Sequence, residues 1–158
     1  MVERFDIADF LAERHHCASV ATVAASGSPA LATMWFLFDS HRFWFHSPRA
    51  SRAFLEAAEA GASVAVLIAT WAPPADVRLV RAIGTARMEA QDPDRVERMY
   101  TRYLDGDRAA WKAAWAEQIE SAEYRLWSVL AERGTAVSYE NLQDGPRMRW
   151  SRPGDMLR

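Results

Sequence analysis

The chain has 158 residues and a formal net charge of −2, with half of its residues apolar and a quarter charged. That is the size and make-up of one globular domain with a buried core. It gives no electrostatic footprint for nucleic acid, and no run approaches the roughly 18 apolar residues of a membrane helix. The start, Val2-Glu3-Arg4-Phe5-Asp6, lacks the basic flank and apolar core of a secretory signal, so a cytoplasmic location is expected. A lone cysteine, Cys17, leaves no internal disulfide and no multi-cysteine metal site. All but one of the 19 basic residues are arginine, the exception being Lys112. GC-rich coding explains that bias, and any cation site here must use arginine.

The first predicted element is a helix over residues 5–14, where Phe5, Ile7, Phe10 and Leu11 keep a helical period that ends near His15-His16. Residues 17–24 read as a strand, and Ala25-Ser26-Gly27-Ser28-Pro29 as a turn. A second strand over 30–38 and a third over 42–46 flank Asp39-Ser40-His41, which predicts an antiparallel meander. Ser47 then reads as a helix N-cap, Pro48 as the first helical residue and Gly61 as the closing residue.

Ser63 to Thr70 is a strand apolar enough to be buried on both faces, and the Pro73-Pro74 pair makes 71–76 a loop. A long strand follows over 77–90, with Gly84 as a bulge or close-approach point. Helices are predicted over 93–104 and 108–120, strands over 122–132 and 135–139, and an irregular tail from Asn141. Antiparallel strands with few, segregated helices indicate a single α+β domain over 1–158, built as a small closed or nearly closed barrel.

The segment that points to chemistry is Phe45-His46-Ser47-Pro48-Arg49-Ala50-Ser51-Arg52. A helix start has free N–H groups and a positive dipole end, so arginine is the wrong sign there. Arg49 and Arg52 lie three apart on one face, and with the hydroxyls of Ser47 and Ser51 they would converge on a phosphate dianion. Two solvated arginines on an exposed turn would give the same pattern. The aromatic hairpin just before it, Trp35-Phe36-Leu37-Phe38 and Phe43-Trp44-Phe45, would offer a stacking wall to a planar ring, or an ordinary core.

Other candidates carry less. His15-His16 lack the partners of a metal site, so no metal is expected, and His41 in its turn is given no role. His46 fits a neutral hydrogen-bonding group better than a proton shuttle. Trp111 and Trp115, four apart on one helix face, fit core or dimer packing, or a lid over a pocket. Cys17 reads as a small buried hydrophobe. There is no Gly-rich dinucleotide fingerprint, phosphate-binding P-loop or serine nucleophile elbow.

The order and spacing of LATMWFLFD, RFWFHSPRASRAFLE, GASVAVLIA and VRAIGTARM resemble the pyridoxamine 5′-phosphate oxidase-like superfamily. Among its members the chain is most similar to the short flavin/deazaflavin-dependent oxidoreductases. The resemblance covers residues 5–90 and, more loosely, the strand region EYRLWSVLAERGTAVSYE. It implies a mainly β fold: a six- to seven-stranded antiparallel split β-barrel with peripheral helices, as a homodimer with cofactor sites at the subunit interface. It further implies an FMN-dependent oxidoreductase that passes hydride to or from a small substrate, with a nicotinamide as electron donor.

By position, Thr33, Met34 and Trp35 would flank the isoalloxazine, and His46, Ser47, Ser51 and Arg52 the ribityl phosphate, with Arg49 close by. The family commonly has Lys where Arg52 stands. No catalytic side chain is assigned. The substrate-phosphate residues of true pyridoxamine phosphate oxidases have no counterpart here, so vitamin B6 oxidation is not expected. A deazaflavin coenzyme in place of FMN, or a non-enzymatic flavin- or haem-binding protein of this fold, are the alternatives.

Overall fold

Every second residue of β1 (Ala18–Val23) is buried, which sets the inner face of a sheet. The computed structural model describes residues 5–139 and 148–157, and every strand pairing in it is antiparallel. β1 lies between β2 (Pro29–Met34) and β5 (Ser63–Ala72). β5 runs back along β6 (Asp76–Met88) over a ten-residue register, from Ala72 opposite Asp76 to Ser63 opposite Thr85.

β6 then serves two neighbours on its other edge. Arg78 to Ile83 pair with β8 (Arg133–Ser138), and Ala86 to Met88 pair with β7 (Tyr124–Leu130). β7 pairs with β4 (Arg42–Pro48), β4 with β3 (Leu37–Asp39), and β8 with the short β9 (Met148–Trp150). One strand therefore belongs to both halves of the barrel, which leaves it split. Helices α1 (Ile7–Ala12), α2 (Arg52–Ala60), α3 (Pro93–Tyr100) and α4 (Ala113–Gln118) lie around it. The interior is filled by Val20, Phe36, Phe43, Phe45, Ile68 and Trp127, all buried, and a second apolar cluster packs under α3 and α4 around Val96, Met99, Ile119 and Leu126. Among the described residues no helix is long and apolar enough to cross a membrane.

The predicted antiparallel barrel is the observed one, with nine strands among the described residues. The difference from six or seven has two sources. The strand expected over 30–38 breaks at Trp35-Phe36 into β2 and β3, which join different sheets, so the first four strands form two hairpins and not one meander. β9 lies in the tail expected to be irregular, whose residues 141–147 fall outside the described ones.

The helix start also differs. Ser47 and Pro48 continue β4, because β7 offers partners as far as Tyr124 opposite Pro48, and the Arg49 N–H still donates to Glu123 O at 2.8 Å. Ser51 is the N-cap residue, without a capping side-chain bond, and Gly61 closes α2 in the left-handed conformation as expected. The helices expected over 93–104 and 108–120 end earlier or fragment, to α3 and to a 3-10 turn at Arg108–Ala110 followed by α4. Instead of an open loop at 71–76, β5 extends to Ala72 and β6 starts at Asp76.

Gly84 is the close-approach point where β6 passes from β8 to β7. A Cβ there would sit 1.6 Å from Leu130 O and 2.8 Å from its carbonyl carbon, both backbone atoms. Gly84→Ala is expected to cost about 3 kcal/mol or more, whereas Gly154→Ala, with nothing within 4 Å of its Cβ, should stay within about 0.5 kcal/mol of wild type. Urea denaturation of the two variants checks this; equal midpoints would contradict the crossing as described.

Candidate functional site

The break between β2 and β3 exposes peptide groups that a continuous strand would pair, and Tyr103, beyond α3, supplies partners for them. Its hydroxyl accepts from Phe36 N–H at 3.1 Å and donates to His16 O at 2.6 Å. With the backbone held in this way, Trp35 leaves the ladder and lies between two rings. Tyr103 stacks on it at 4.7 Å and 2°, and Trp115 at 5.0 Å and 28°. Tyr100 meets it edge-on at 5.4 Å. This stack forms one wall of a cavity of about 260 Å³.

The opposite wall is β4. His46, Ser47 and Pro48 reach the cavity, joined by Ser51 at the start of α2, Thr33 and Met34 of β2, Tyr100 of α3, Gln118 of α4 and Tyr124 of β7. Ser47 is buried, and its hydroxyl is engaged: it accepts from Trp127 Nε1 at 2.9 Å and donates to Met34 Sδ at 3.9 Å. Ser51 has no such bond and keeps its hydroxyl for the cavity.

His46 is the most constrained polar group. Its ring stacks on Tyr124 at 5.2 Å, and Nδ1 lies 3.1 Å from Tyr100 Oη. Tyr100 donates its one proton to Gln118 Oε1, the amide oxygen as assigned, at 3.1 Å. Nδ1 must then be the donor to Tyr100, so Nε2 carries a lone pair. That Nε2 is buried and has no partner. Burial, with no acid nearby to compensate, holds the imidazolium down to about 4, so His46 is neutral at physiological pH. Burial raises the Tyr100 phenol as well, with Tyr124 adding to it. The cavity thus offers a neutral acceptor, which suits an N–H, an O–H or a metal ion and repels an anionic oxygen.

Six of the expected cofactor residues, Thr33, Met34, Trp35, His46, Ser47 and Ser51, come together here. Arg49 and Arg52 do not join them. They line a second groove of about 170 Å³ with Arg125, Leu55, Glu56, Glu59 and Met88. Arg49 Nε donates to Ala122 O at 2.9 Å, and Arg52 pairs with Glu56 at 3.4 Å, one turn along α2. Consecutive residues, Ser51 and Arg52, face the two grooves, which adjoin at the helix start.

Trp115 lines the cavity of its own chain. Trp111 lies behind it, buried in the α3–α4 cluster with its ring 6.2 Å from Tyr100. Sequence reasoning did not assign Tyr100 or Gln118 a role. The apolar period Val96, Met99, Tyr100 marks that face of α3 as buried, and the polar tip of Tyr100 was the available signal. No group of three metal-ligating side chains occurs among the described residues. Cys17 is half-buried rather than fully so, and burial raises its thiol.

The model of the pyridoxamine 5′-phosphate oxidase family matches residues 6–138. The chain belongs to that family. No curated protein matches it in sequence. Among solved structures, the haem storage protein HutZ of Vibrio cholerae is similar at 16% identity and TM-score 0.63, over 83% of this chain and 90% of that one. A Mycobacterium smegmatis haem-binding protein is similar at 14% identity and TM-score 0.65, over 99% of this chain and 62% of that one. A general stress protein 26 relative of Clostridium acetobutylicum, of the pyridoxine phosphate oxidase family, is similar at 17% identity and TM-score 0.54, over 82% and 84%. At these identities the likeness is one of fold, the split barrel.

The burial of His46 carries a pH signature. Between about pH 6.5 and 4 the unfolded chain protonates this residue and the folded chain does not, so stability falls as the pH drops through that window. The depressed carboxyls of Glu13 and Asp76 act lower, below 4.5 and 3.8. Urea midpoints at pH 7 and pH 5 should differ more for the wild type than for His46→Gln; equal differences would contradict a neutral, desolvated His46.

Proposed function

We propose that the cavity between β2, β4, α3 and α4 holds FMN and that the protein is a flavin-dependent oxidoreductase working as a homodimer. The observation that carries this reading is the convergence of Thr33, Met34, Trp35, His46, Ser47 and Ser51 on one cavity with a stacked aromatic wall and an unpartnered acceptor. The residues fit the group in kind. Trp115, at the end of the stack on Trp35, suits a planar ring; His46 Nε2 suits a ring N–H or a ribityl hydroxyl; and Arg49 and Arg52 in the adjoining groove suit the phosphate.

When bound, the flavin supplies hydride chemistry, and the chain supplies binding and orientation. His46, neutral at physiological pH, orients through Nε2, which holds no proton to give, while its one N–H is engaged with Tyr100. At about 260 Å³ the cavity falls short of the 300–1,000 Å³ usual for a ligand of this size, which favours completion by a second copy.

Titration with FMN, followed by visible absorption and tryptophan fluorescence, tests the assignment. Saturable uptake is expected, weakened about tenfold by Trp115→Ala through the loss of stacking. Arg52→Ala should weaken FMN by a similar factor and leave riboflavin, which lacks the phosphate, unchanged. No uptake of FMN would overturn the reading.

A second reading, haem binding, is favoured by one observation: the neutral His46 presents a buried Nε2 lone pair, the form in which histidine ligates iron. The HutZ and M. smegmatis structures are described as haem proteins. Titration with haemin separates the readings. A Soret band that is lost in His46→Gln supports haem, whereas FMN uptake retained in His46→Gln, whose amide oxygen can still accept, supports flavin.

A further inference from the structure

The hydrogen-bond chain behind His46 ends on Gln118 of α4, and its direction is set there. Tyr100 is buried, and its hydroxyl meets two groups: His46 Nδ1 at 3.1 Å and the Gln118 amide at 3.1 Å. It has one proton to donate, and no other hydrogen-bond partner among the described residues. A buried hydroxyl donates that proton to one neighbour and accepts from the other. A neutral imidazole carries a single N–H, so the choice made at Tyr100 fixes which His46 nitrogen bears it.

Two arrangements of this chain are self-consistent. With the Gln118 carbonyl facing Tyr100, the phenol donates to Gln118 and accepts from Nδ1–H, and Nε2 keeps a lone pair. With the amide NH2 facing Tyr100, the phenol donates to Nδ1 and Nε2 carries the hydrogen. The structure has the first, with Tyr100 donating to Oε1. Phenol and imidazole each reverse roles by moving a proton, whereas an amide reverses only by turning over. The helix that carries this amide is held on both sides. Trp115 stacks on Trp35 at 5.0 Å, and Ile119, next to Gln118, is buried. Arg108 reaches Ala116 O at 3.4 Å, Glu97 of α3 at 3.8 Å and Glu120 at 3.5 Å. α4 thus keeps Gln118 against α3, where Tyr100 stands.

We propose that Gln118 is a positioning residue that sets the tautomer of His46 through Tyr100, so that the nitrogen facing the cavity accepts a hydrogen bond instead of donating one. The cavity then selects a ligand that presents an N–H or O–H at that point. Without the Gln118 carbonyl, the preference passes to a ligand that presents a carbonyl or a ring-nitrogen acceptor. This selection rests on the cavity at His46 being the ligand site, as proposed above, whereas the tautomer is a property of the ligand-free protein.

Long-range proton–nitrogen NMR of the histidine rings in the ligand-free full chain, at neutral pH where His46 is uncharged, reads the tautomer directly. Loss of its signals in His46→Gln assigns them. The wild type should show a protonated Nδ1 and a bare Nε2. Gln118→Leu removes the acceptor, leaves Nδ1 as the target of the phenol, and should move the hydrogen to Nε2. Gln118→Glu, of similar shape and able only to accept when ionised, should keep the wild-type pattern. Circular dichroism establishes that each variant is folded. Tyr100→Phe separates the hydrogen-bond chain from a general loosening of α4: with the phenol gone, adding Gln118→Leu should no longer move the His46 signals. A wild type with the hydrogen on Nε2, a folded Gln118→Leu that keeps it on Nδ1, or an equal shift in the Tyr100→Phe background would overturn the proposal. None of these readouts uses FMN. Failure to take up FMN overturns the flavin reading and leaves the tautomer where it is, whereas a reversed tautomer with FMN uptake intact overturns this proposal alone.

Discussion

The fold depends on one close crossing. β6 pairs with β8 along its first half and with β7 at its end, and the passage between them runs through Gly84, against the backbone of Leu130. Only a residue without a side chain fits there, and only because it fits can one strand belong to both halves of the barrel. Everything at the candidate site follows from that. β7 is delivered beside β4, so that Leu126 lies opposite His46 and Arg125 opposite Ser47. Trp127 Nε1 reaches the Ser47 hydroxyl, and Tyr124 comes under the His46 ring. The aromatic interior around Phe45 and Trp127 then fills the space the crossing encloses.

A second constraint acts at the mouth of the barrel. The chain must break its ladder at Trp35-Phe36 to change sheets, and broken backbone is costly unless its polar groups are paired. Tyr103 pairs them from outside, and in doing so it brings the segment after α3 against Trp35. α3 and the segment after it deliver Tyr100, Trp115 and Gln118, so repair of the strand break and construction of the cavity are one event. The result is a polar, uncharged cavity next to a groove that sets Arg49, Arg52 and Arg125 beside Glu56 and Glu59, a division that suits a ligand with a neutral ring system at one end and an anion held by arginine at the other.

Much of the fold was legible from local chemistry. Gly84 in a long strand, Gly61 after an apolar helical period and the prolines at 73–74 each impose a backbone geometry that no partner strand can change. The residues that line the cavity were legible as two stretches, Thr33 to Trp35 and His46, Ser47 and Ser51, since a strand ending near a helix start places both together. What was not legible depends on partners distant in sequence. Ser47 and Pro48 look like a helix cap and first turn, yet a tertiary partner, β7, keeps them in a strand. Arg49 and Arg52 look convergent with the serines on a helical wheel, but with the helix starting at Arg52 they turn toward Ala122 and Glu56 instead. Tyr100 and Gln118 stand 54 and 72 residues from His46, and nothing local to either announces a shared hydrogen-bond chain.

The central claim is that the ligand enters the cavity at His46 and Trp35. Nitrogen-resolved NMR of the imidazole and indole groups during addition of FMN tests it most directly. The account predicts that the His46 Nε2 signal shifts as its lone pair accepts a hydrogen, together with the indole of Trp35, while the indoles of Trp71 and Trp150 stay in place. Shifts at Trp150 with His46 and Trp35 unmoved, or no shift at all under saturating FMN, would contradict it.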